Sequence, residues 1–351
     1  MYLPKFTITQ TILKNIGLAE ACKEVITTAP LIPAWEKQFQ SEAAARTIHF
    51  GTHLEGNDLS FDQAKKVIAG NVIIAHQRDV WEVINYRNVL RFIEKLEEEK
   101  NKGFIYNQTI LKKIHRLTVS KILDNTNAGE YRKSRVVIKN SQNGEVVFTP
   151  ISPLEVPFQL DDFFSWLNSD QGKLMHPVLR AGISHFELVR IHPFTDGNGR
   201  ASRAFATLVL FLEGYDIKKF FSIEEHFDKD PLVYYQALGS VSIHQGDLTY
   251  WLEYFTKVLA IELTSVKEKV RRLSLDGRLK DKLGRQIALS ERQIKLVEYL
   301  KINERLLTQE AKKLLPLISE DTILRDLKDL IKKGIVKKAG KTKAACYILT
   351  R

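Results

Sequence analysis

The run from Ala201 to Leu212 constrains the fold more than any other stretch, because it is apolar on nearly every side. A helix of that kind has no polar face to turn towards water, so other helices must enclose it. Gly214 stands where it would stop. The rest of the chain supplies enclosing partners, since apolar residues recur at helical spacing over most of its length. Pro177 to Ile191 sets Leu179, Ile183, Phe186 and Val189 on a common face, and Val156 to Asn168 forms another helix. Upstream, helices are predicted from about Trp35 to Asn57, closed by Gly56-Asn57, and from a capping Ser60 to Gly70-Asn71. Two more span about Val80 to Lys100 and Thr109 to Ser120. The expected class is mainly α.

Two segments depart from that pattern. Ser134 to Lys139 and Glu145 to Thr149 are rich in β-formers and flank Asn140-Ser141-Gln142-Asn143-Gly144, whose Asn-Gly pair signals a hairpin. An isolated hairpin is marginal by itself and needs something to pack on or bind. Val266 to Lys282 is charged and thin in apolar residues, which reads as a linking helix. Beyond it, Ser290 caps a helix containing Ile294, Val297 and Leu300, and a short helix covers Glu310 to Leu315. Ser319 caps a third, with Ile323, Leu327, Leu330 and Ile331 inward. Ile335 to Lys338 and Ala345 to Leu349 are β-like and are joined by Ala339-Gly340-Lys341-Thr342-Lys343. Three helices and a basic hairpin make a winged helix-turn-helix, the third helix being the DNA reader and the Lys-rich hairpin the wing.

Composition narrows the function classes. A chain of 351 residues, 44% hydrophobic and 27% charged, is that of an ordinary soluble protein of two or three domains. No stretch approaches the roughly 18 uninterrupted apolar residues of a membrane span, and Met1-Tyr2-Leu3-Pro4-Lys5 lacks the layout of a secretory signal. Cys22 and Cys346 are the only cysteines, which excludes a disulfide framework and a cysteine-rich metal site. A cytoplasmic location and no membrane partner are expected. The net charge of +11 is uneven: from Arg285 onwards 16 Lys and Arg face 8 Asp and Glu, leaving only +3 upstream. A basic tail points towards an anionic partner, DNA first.

The chemistry concentrates between two helices. Asp196-Gly197-Asn198-Gly199-Arg200 sits where Pro177 to Ile191 has ended and the apolar helix begins. Amides at a helix start are unpaired and the dipole there favours negative charge. Two glycines let the backbone form a concave nest, and Arg200 and Arg203 project from one side of the first turn, together suiting a polyphosphate. Asp196 offers a hard oxygen of the kind Mg²⁺ takes beside phosphate oxygens. His192 is a candidate general base, its unperturbed pKa being roughly 6.5. Each residue alone has a plainer use, as cap, turn or structural histidine; their density is what argues for a site.

His192-Pro193-Phe194-Thr195-Asp196-Gly197-Asn198-Gly199-Arg200, with Arg203, resembles the signature of the Fic family of AMP-transferring enzymes. Gly129-Glu130-Tyr131-Arg132 and the hairpin after it are similar to that family's substrate-docking flap, and Phe163 to Asn168 resembles the following helix. Tyr234 to Leu238 and Gly246-Asp247-Leu248-Thr249 resemble the stretch that closes the nucleotide pocket, so the likeness runs from about Ser41 to Phe255. It implies a Fic-type helical bundle with a β-hairpin flap, ATP as substrate and Mg²⁺ on Asp196. His192 would take the proton from a Tyr, Ser or Thr hydroxyl of a target protein, or of the chain itself. Gly197, Asn198, Gly199 and Arg200 would cradle the phosphates, Arg203 would reach the γ-phosphate, and Tyr235 with Tyr234 would lie by the adenine. The flap would pair with the target as an added strand.

Thr52-His53-Leu54-Glu55-Gly56-Asn57 resembles the inhibitory motif some Fic proteins carry ahead of the core, with Glu55 pairing Arg203 and denying it to the γ-phosphate. The usual Ser or Thr four residues before the glutamate is Gly51 here, with Thr52 beside it as the hydroxyl assigned to the nucleotide site. The expected organisation is an inhibitory helical region over 1–100, the catalytic core over 101–260, a linker over 261–284 and the winged domain over 285–351. Two other functions fit the same residues: an AMP-removing hydrolase, and a nucleotide-sensing regulator that binds DNA. A homodimer is compatible with any of them.

Overall fold

The computed structural model describes residues 2–29, 31, 33–99, 103–139, 146–283, 289–303, 305–316, 318–339 and 346–350. They fall into two units, Met1–Thr27 with Ala34–Lys267 and Thr28–Pro33 with Glu268–Arg351. Along the chain come α1 (Gln10–Thr28), α2 (Pro33–His53), α3 (Phe61–Ile68), α4 (Gln77–Glu98) and α5 (Gln108–Thr118). Next are strands β1 (Ile138–Lys139) and β2 (Val146–Phe148), then α6 (Val156–Asn168), α7 (Asp170–Leu174), α8 (Pro177–Ile191) and α9 (Asn198–Leu210). The helices α10 (Glu224–Lys229), α11 (Pro231–Ile243) and α12 (Thr249–Leu283) follow.

Local chemistry sets the boundaries. The Ser60 hydroxyl accepts from the Gln63 amide at 3.3 Å while the Gln63 side chain accepts from the Ser60 amide at 2.9 Å, a reciprocal cap that starts α3. Asn107 caps α5 through the Ile110 amide. The apolar run becomes the enclosed α9, where Ala201, Ala204, Phe205, Leu208 and Val209 are buried and α8, α5 and α4 pack around it. It starts at Asn198 rather than Ala201 and gives way at Phe211 to a wide turn that Gly214, at φ 79°, ends.

Among the described residues of the flap, Ile138 pairs with Phe148 and Lys139 with Val146, with a register shift between them. Ser134 lies outside the ladder, its carbonyl accepting from Arg132 instead. The turn expected at residues 140–144 lies outside the described residues, as does Glu145 of the second expected strand. No separate linking helix begins at Val266: α12 starts at Thr249 and is continuous to Leu283, burying Trp251, Leu252, Phe255, Leu259, Leu263, Val266 and Val270 on the way.

In the second unit α13 (Glu291–Asn303), β3 (Leu306–Leu307), α14 (Thr308–Leu314), α15 (Glu320–Lys332), β4 (Val336–Ala339) and β5 (Cys346–Leu349) follow in order. The strands form an antiparallel sheet ordered β3-β5-β4, over a core of Leu296, Val297, Leu300, Ile323, Leu327 and Leu330. The two-residue β3 was not predicted; of the connection expected at 339–343 in the wing hairpin, residues 340–343 lie outside the described residues. Among the described residues no helix is long and apolar enough to cross a membrane.

Candidate active site

The turn between α8 and α9 is held by side chains from three directions. His192 closes α8 in the left-handed region at φ 50°, its amide donating to the Leu188 carbonyl at 3.0 Å. Asn198 reaches back to Phe194 twice, accepting from its amide at 2.9 Å and donating to its carbonyl at 2.8 Å. The Phe194 ring stacks flat on His115, centroids 3.7 Å apart. His115 Nε2 lies 2.9 Å from the Asp196 carbonyl while its Nδ1 accepts the Gly129 amide, so the ring is the neutral Nε2–H tautomer. Burial agrees, lowering the His115 pKa to about 4. From the flap side, Arg132 donates to the carbonyls of His192 at 2.8 Å, Ser134 at 3.3 Å and Ile151 at 2.5 Å, and its own amide donates to the Pro193 carbonyl. The His192 ring is thus presented by a fixed backbone. Its Nδ1 is buried without a partner, and burial lowers its pKa to about 4, leaving a neutral imidazole at pH 7.

Helix α9 begins without a side-chain cap. Gly197, at φ 76°, delivers the chain into the helix, and the free first-turn amides form an anion cradle. A side chain at Gly197 would also meet Val119 at 2.8 Å, so only glycine fits. At Gly199 the crowding comes from elsewhere: a Cβ there would collide with the Glu55 carboxylate, which lies against this backbone. Glu55 Oε1 pairs with Arg203 Nη1 at 2.8 Å, and Arg203 Nη2 donates to the Gly51 carbonyl at 2.8 Å. Arg203 is buried. That burial opposes its charge, but Glu55, with Tyr234, Tyr86 and Tyr235, outweighs it and holds the guanidinium above its ordinary pKa. The absent side chain at Gly51 has a cause too: a Cβ would sit 2.7 Å from the buried Tyr86 ring.

Around Asp196 the charges alternate. Its Oδ1 accepts from the Gly197 amide at 2.6 Å and lies 3.6 Å from Arg200; its Oδ2 is 2.9 Å from Arg78 Nη2. Arg78 Nε and Arg200 Nη1 both reach the buried Glu82 Oε1, at 3.2 and 2.9 Å. Glu82 Oε2 accepts from Asn57 at 2.9 Å, which links the end of the Glu55 segment to this cluster. Among the described residues no group of three or more His, Cys, Asp or Glu could hold a metal ion. One partly exposed carboxylate beside an anion cradle fits Mg²⁺, which keeps waters and takes phosphate oxygens beside one or two carboxylates.

Not every predicted residue faces the cradle. His192, Asp196, Gly197, Gly199, Arg203 and Glu55 are brought together. Thr52 is not available: it is fully buried and its hydroxyl donates back to the Ile48 and His49 carbonyls. Tyr234 is also withdrawn, buried with its hydroxyl 2.9 Å from His185 and its ring stacked on Phe227, so it offers no face to an adenine. Tyr235 is 51% exposed and remains. The Asn198 side chain fastens the loop, and Arg200 is turned to Glu82. Glu82, Arg78 and His115 were missed, although two had a signal. Glu82 shares a buried α4 stripe with Tyr86, Val89 and Ile93, and His115 shares one on α5 with Leu111, Ile114 and Thr118. A polar residue on an apolar stripe needs a buried partner.

Residues 105–210 match the Fic/DOC family model. Among curated proteins, the chain is 34% identical over 185 residues to the protein adenylyltransferase Fic of Aedes aegypti, covering 51% of this chain and 34% of that one. It is 32% identical over 206 residues to protein adenylyltransferase fic-1 of Caenorhabditis elegans, 58% and 37% of the two lengths. The chain therefore spans about a third of the curated relatives it matches. A crystal structure of a Fic family protein from Desulfovibrio desulfuricans G20 is similar over 99% of this chain and 98% of that one, with TM-score 0.65 and 21% identity. The C. elegans Fic-1 structure is similar over 77% and 74%, with TM-score 0.59 and 23% identity. These likenesses extend the fold beyond the matched segment, and residues 105–210, which hold His192, the glycine turn and both arginines, are the part of the chain that matches the Fic/DOC family.

Proposed function

We propose that the chain transfers AMP from ATP to a hydroxyl of a protein, itself included, and that Glu55 restrains this reaction. The observation that carries the reading is the uncapped start of α9, preceded by a buried, unpartnered His192 nitrogen and by the Asp196 carboxylate. The target oxygen attacks the α-phosphorus, its proton passes to His192, the bond from that phosphorus to the bridging oxygen breaks, and pyrophosphate leaves. A neutral imidazole is ready to accept that proton. Asp196 would hold Mg²⁺, which offsets phosphate charge, and the names of the A. aegypti and C. elegans relatives support the adenylyl chemistry. Tyr235 would lie by the adenine, and the flap would pair with the target's backbone. The test is labelled ATP incubated with the protein alone. His192→Ala should lose roughly 10²–10⁴-fold in labelling rate while still binding ATP; undiminished labelling would sink the mechanism. Labelling that is absent from the unaltered protein, together with release of AMP from a modified protein, would favour the reverse, AMP-removing reaction.

The second unit favours a nucleic-acid partner by its charge. Arg325, Lys328 and Lys332 are exposed along α15, as are Lys337 and Lys338 on β4. Read as a winged helix-turn-helix, this unit would place α15 at the groove. Glu320 and Asp321 occupy its first turn, the part that would meet base edges, so contact would be with phosphates. Binding should then weaken steeply with salt. An anisotropy titration with no binding to duplex DNA at low salt would retire this reading.

A further inference from the structure

The cation on Asp196 was not foreseen in the sequence. Arg78 lies in the first turn of α4, its side chain 57% exposed, and it reaches the Asp196 Oδ2 at 2.9 Å from 118 residues away. The other carboxylate oxygen is already turned inward, to the Gly197 amide and towards Arg200. So the one oxygen facing outward is the one Arg78 occupies, and Asp196 carries no uncompensated charge. A free divalent ion arriving there meets two guanidinium charges against the carboxylates of Asp196 and Glu82, a cluster with no net negative charge to attract it. A metal–triphosphate complex is different, because it brings its own net negative charge and gives Arg78 a second anion to pair with.

We propose that Arg78 is a removable cation that screens Asp196 against a free divalent ion and shifts to the triphosphate when metal and nucleotide arrive together. The proposal rests on the reading of Asp196 as the metal carboxylate. Arg78 is suited to such a shift: its stem is exposed, and its Nε stays within 3.2 Å of Glu82, which anchors one end of the guanidinium while the other end is free to change partners. The screening makes the site favour the metal with its nucleotide over the metal alone.

The test is Mn²⁺ binding to the full chain, read without nucleotide by the loss of free-ion electron paramagnetic resonance signal, and for the complex of Mn²⁺ with a nonhydrolysable ATP analogue by equilibrium dialysis, since the analogue itself takes up free Mn²⁺. Arg78→Ala should tighten binding of Mn²⁺ alone by about two- to fivefold, the scale of one partly exposed ion pair, and should weaken binding of the Mn²⁺–analogue pair. Arg78→Lys, which keeps the charge, should restore most of the discrimination. Asp196→Asn should abolish metal binding in both conditions. If Asp196→Asn matters and Arg78→Ala leaves Mn²⁺ alone unchanged or weaker, the screening role is overturned while the metal site stands. If Asp196→Asn has no effect, the metal reading fails and the proposal falls with it.

Discussion

Arg203 has one guanidinium and two claims on it. Glu55 now occupies one edge and the Gly51 carbonyl the other, so a γ-phosphate reaching Arg203 must displace the carboxylate lying against Gly199. A phosphate held slightly off line reacts slowly, since a misplacement of about 1 Å can cost ~10²-fold. Glu55→Gly should therefore raise self-labelling by one to two orders of magnitude on that scale, and Arg203→Ala should not. The double variant should behave like Arg203→Ala alone. Self-labelling by Glu55→Gly no faster than by the unaltered protein at saturating ATP removes Glu55 from the regulation. His192 adds a pH prediction. Its pKa is lowered by burial to about 4, so the free protein keeps the base neutral well below pH 6.5. The acid limb of kcat/KM for a target should then fall below pH 6; a limb at 6.5 or higher contradicts a buried base. At this scale the sequence was legible where residues are contiguous, as from His192 to Arg203, and illegible where helix phase decides. Consecutive residues on a helix point about 100° apart, so of Tyr234 and Tyr235 one had to face the core, and nothing local said which. Arg78 and Glu82 join Asp196 and Arg200 only through the packing of α4 on α9.

Helix boundaries were the most readable elements, because caps and breakers act locally. Val156–Asn168 and Pro177–Ile191 form over the spans expected, with Pro near the start of each. Strands read less well: a two-residue ladder such as β1 or β3 is made by its partner, not by its own propensity. The N-terminal α1 buries Ile12, Ala19, Cys22 and Ile26, which recur at helical spacing, and polar links such as Thr9 to Glu253 and Asn15 to Thr256 add to that packing. Helix α2 poses a sharper question, since Gly51 stands where the motif that Thr52 to Asn57 resembles usually has a hydroxyl. The buried Tyr86 ring fills that space. Gly51→Ser, which restores the more common residue, should cost about 1–3 kcal/mol from overpacking, seen as a lower urea midpoint. It should also shift the end of α2, from which the chain turns to Glu55, and raise self-labelling. A variant as stable and as quiet as the unaltered protein would mean that Tyr86 moves aside freely.

Across the whole molecule, buried titratable groups set the acid limit. His115 and His192 have pKa values lowered by burial to about 4, and His185 is also held well below its ordinary value. Between pH 6.5 and 4.5 the unfolded chain binds those three protons and the folded chain does not, so stability falls as pH falls. Glu224 opposes this. Burial raises its pKa to about 7, so the folded chain holds one proton there that the unfolded chain has released above pH 4.5. The histidines outweigh this one carboxyl, the more so because burial also lowers His49 and His176, and thermal unfolding should shift downwards between pH 6.5 and 5. His115→Gln should flatten that slope; a slope unchanged by it would mean the ring is already protonated in the folded chain. One further feature bears on how a partner would be met. Because a single guanidinium, Arg132, gathers the carbonyls of His192, Ser134 and Ile151, the start of the flap and the histidine turn are ordered as one piece during folding. A peptide that adds itself as a strand there would immobilise only its own backbone, so most of the entropy of assembling the two sides of the reaction is already lost before it arrives.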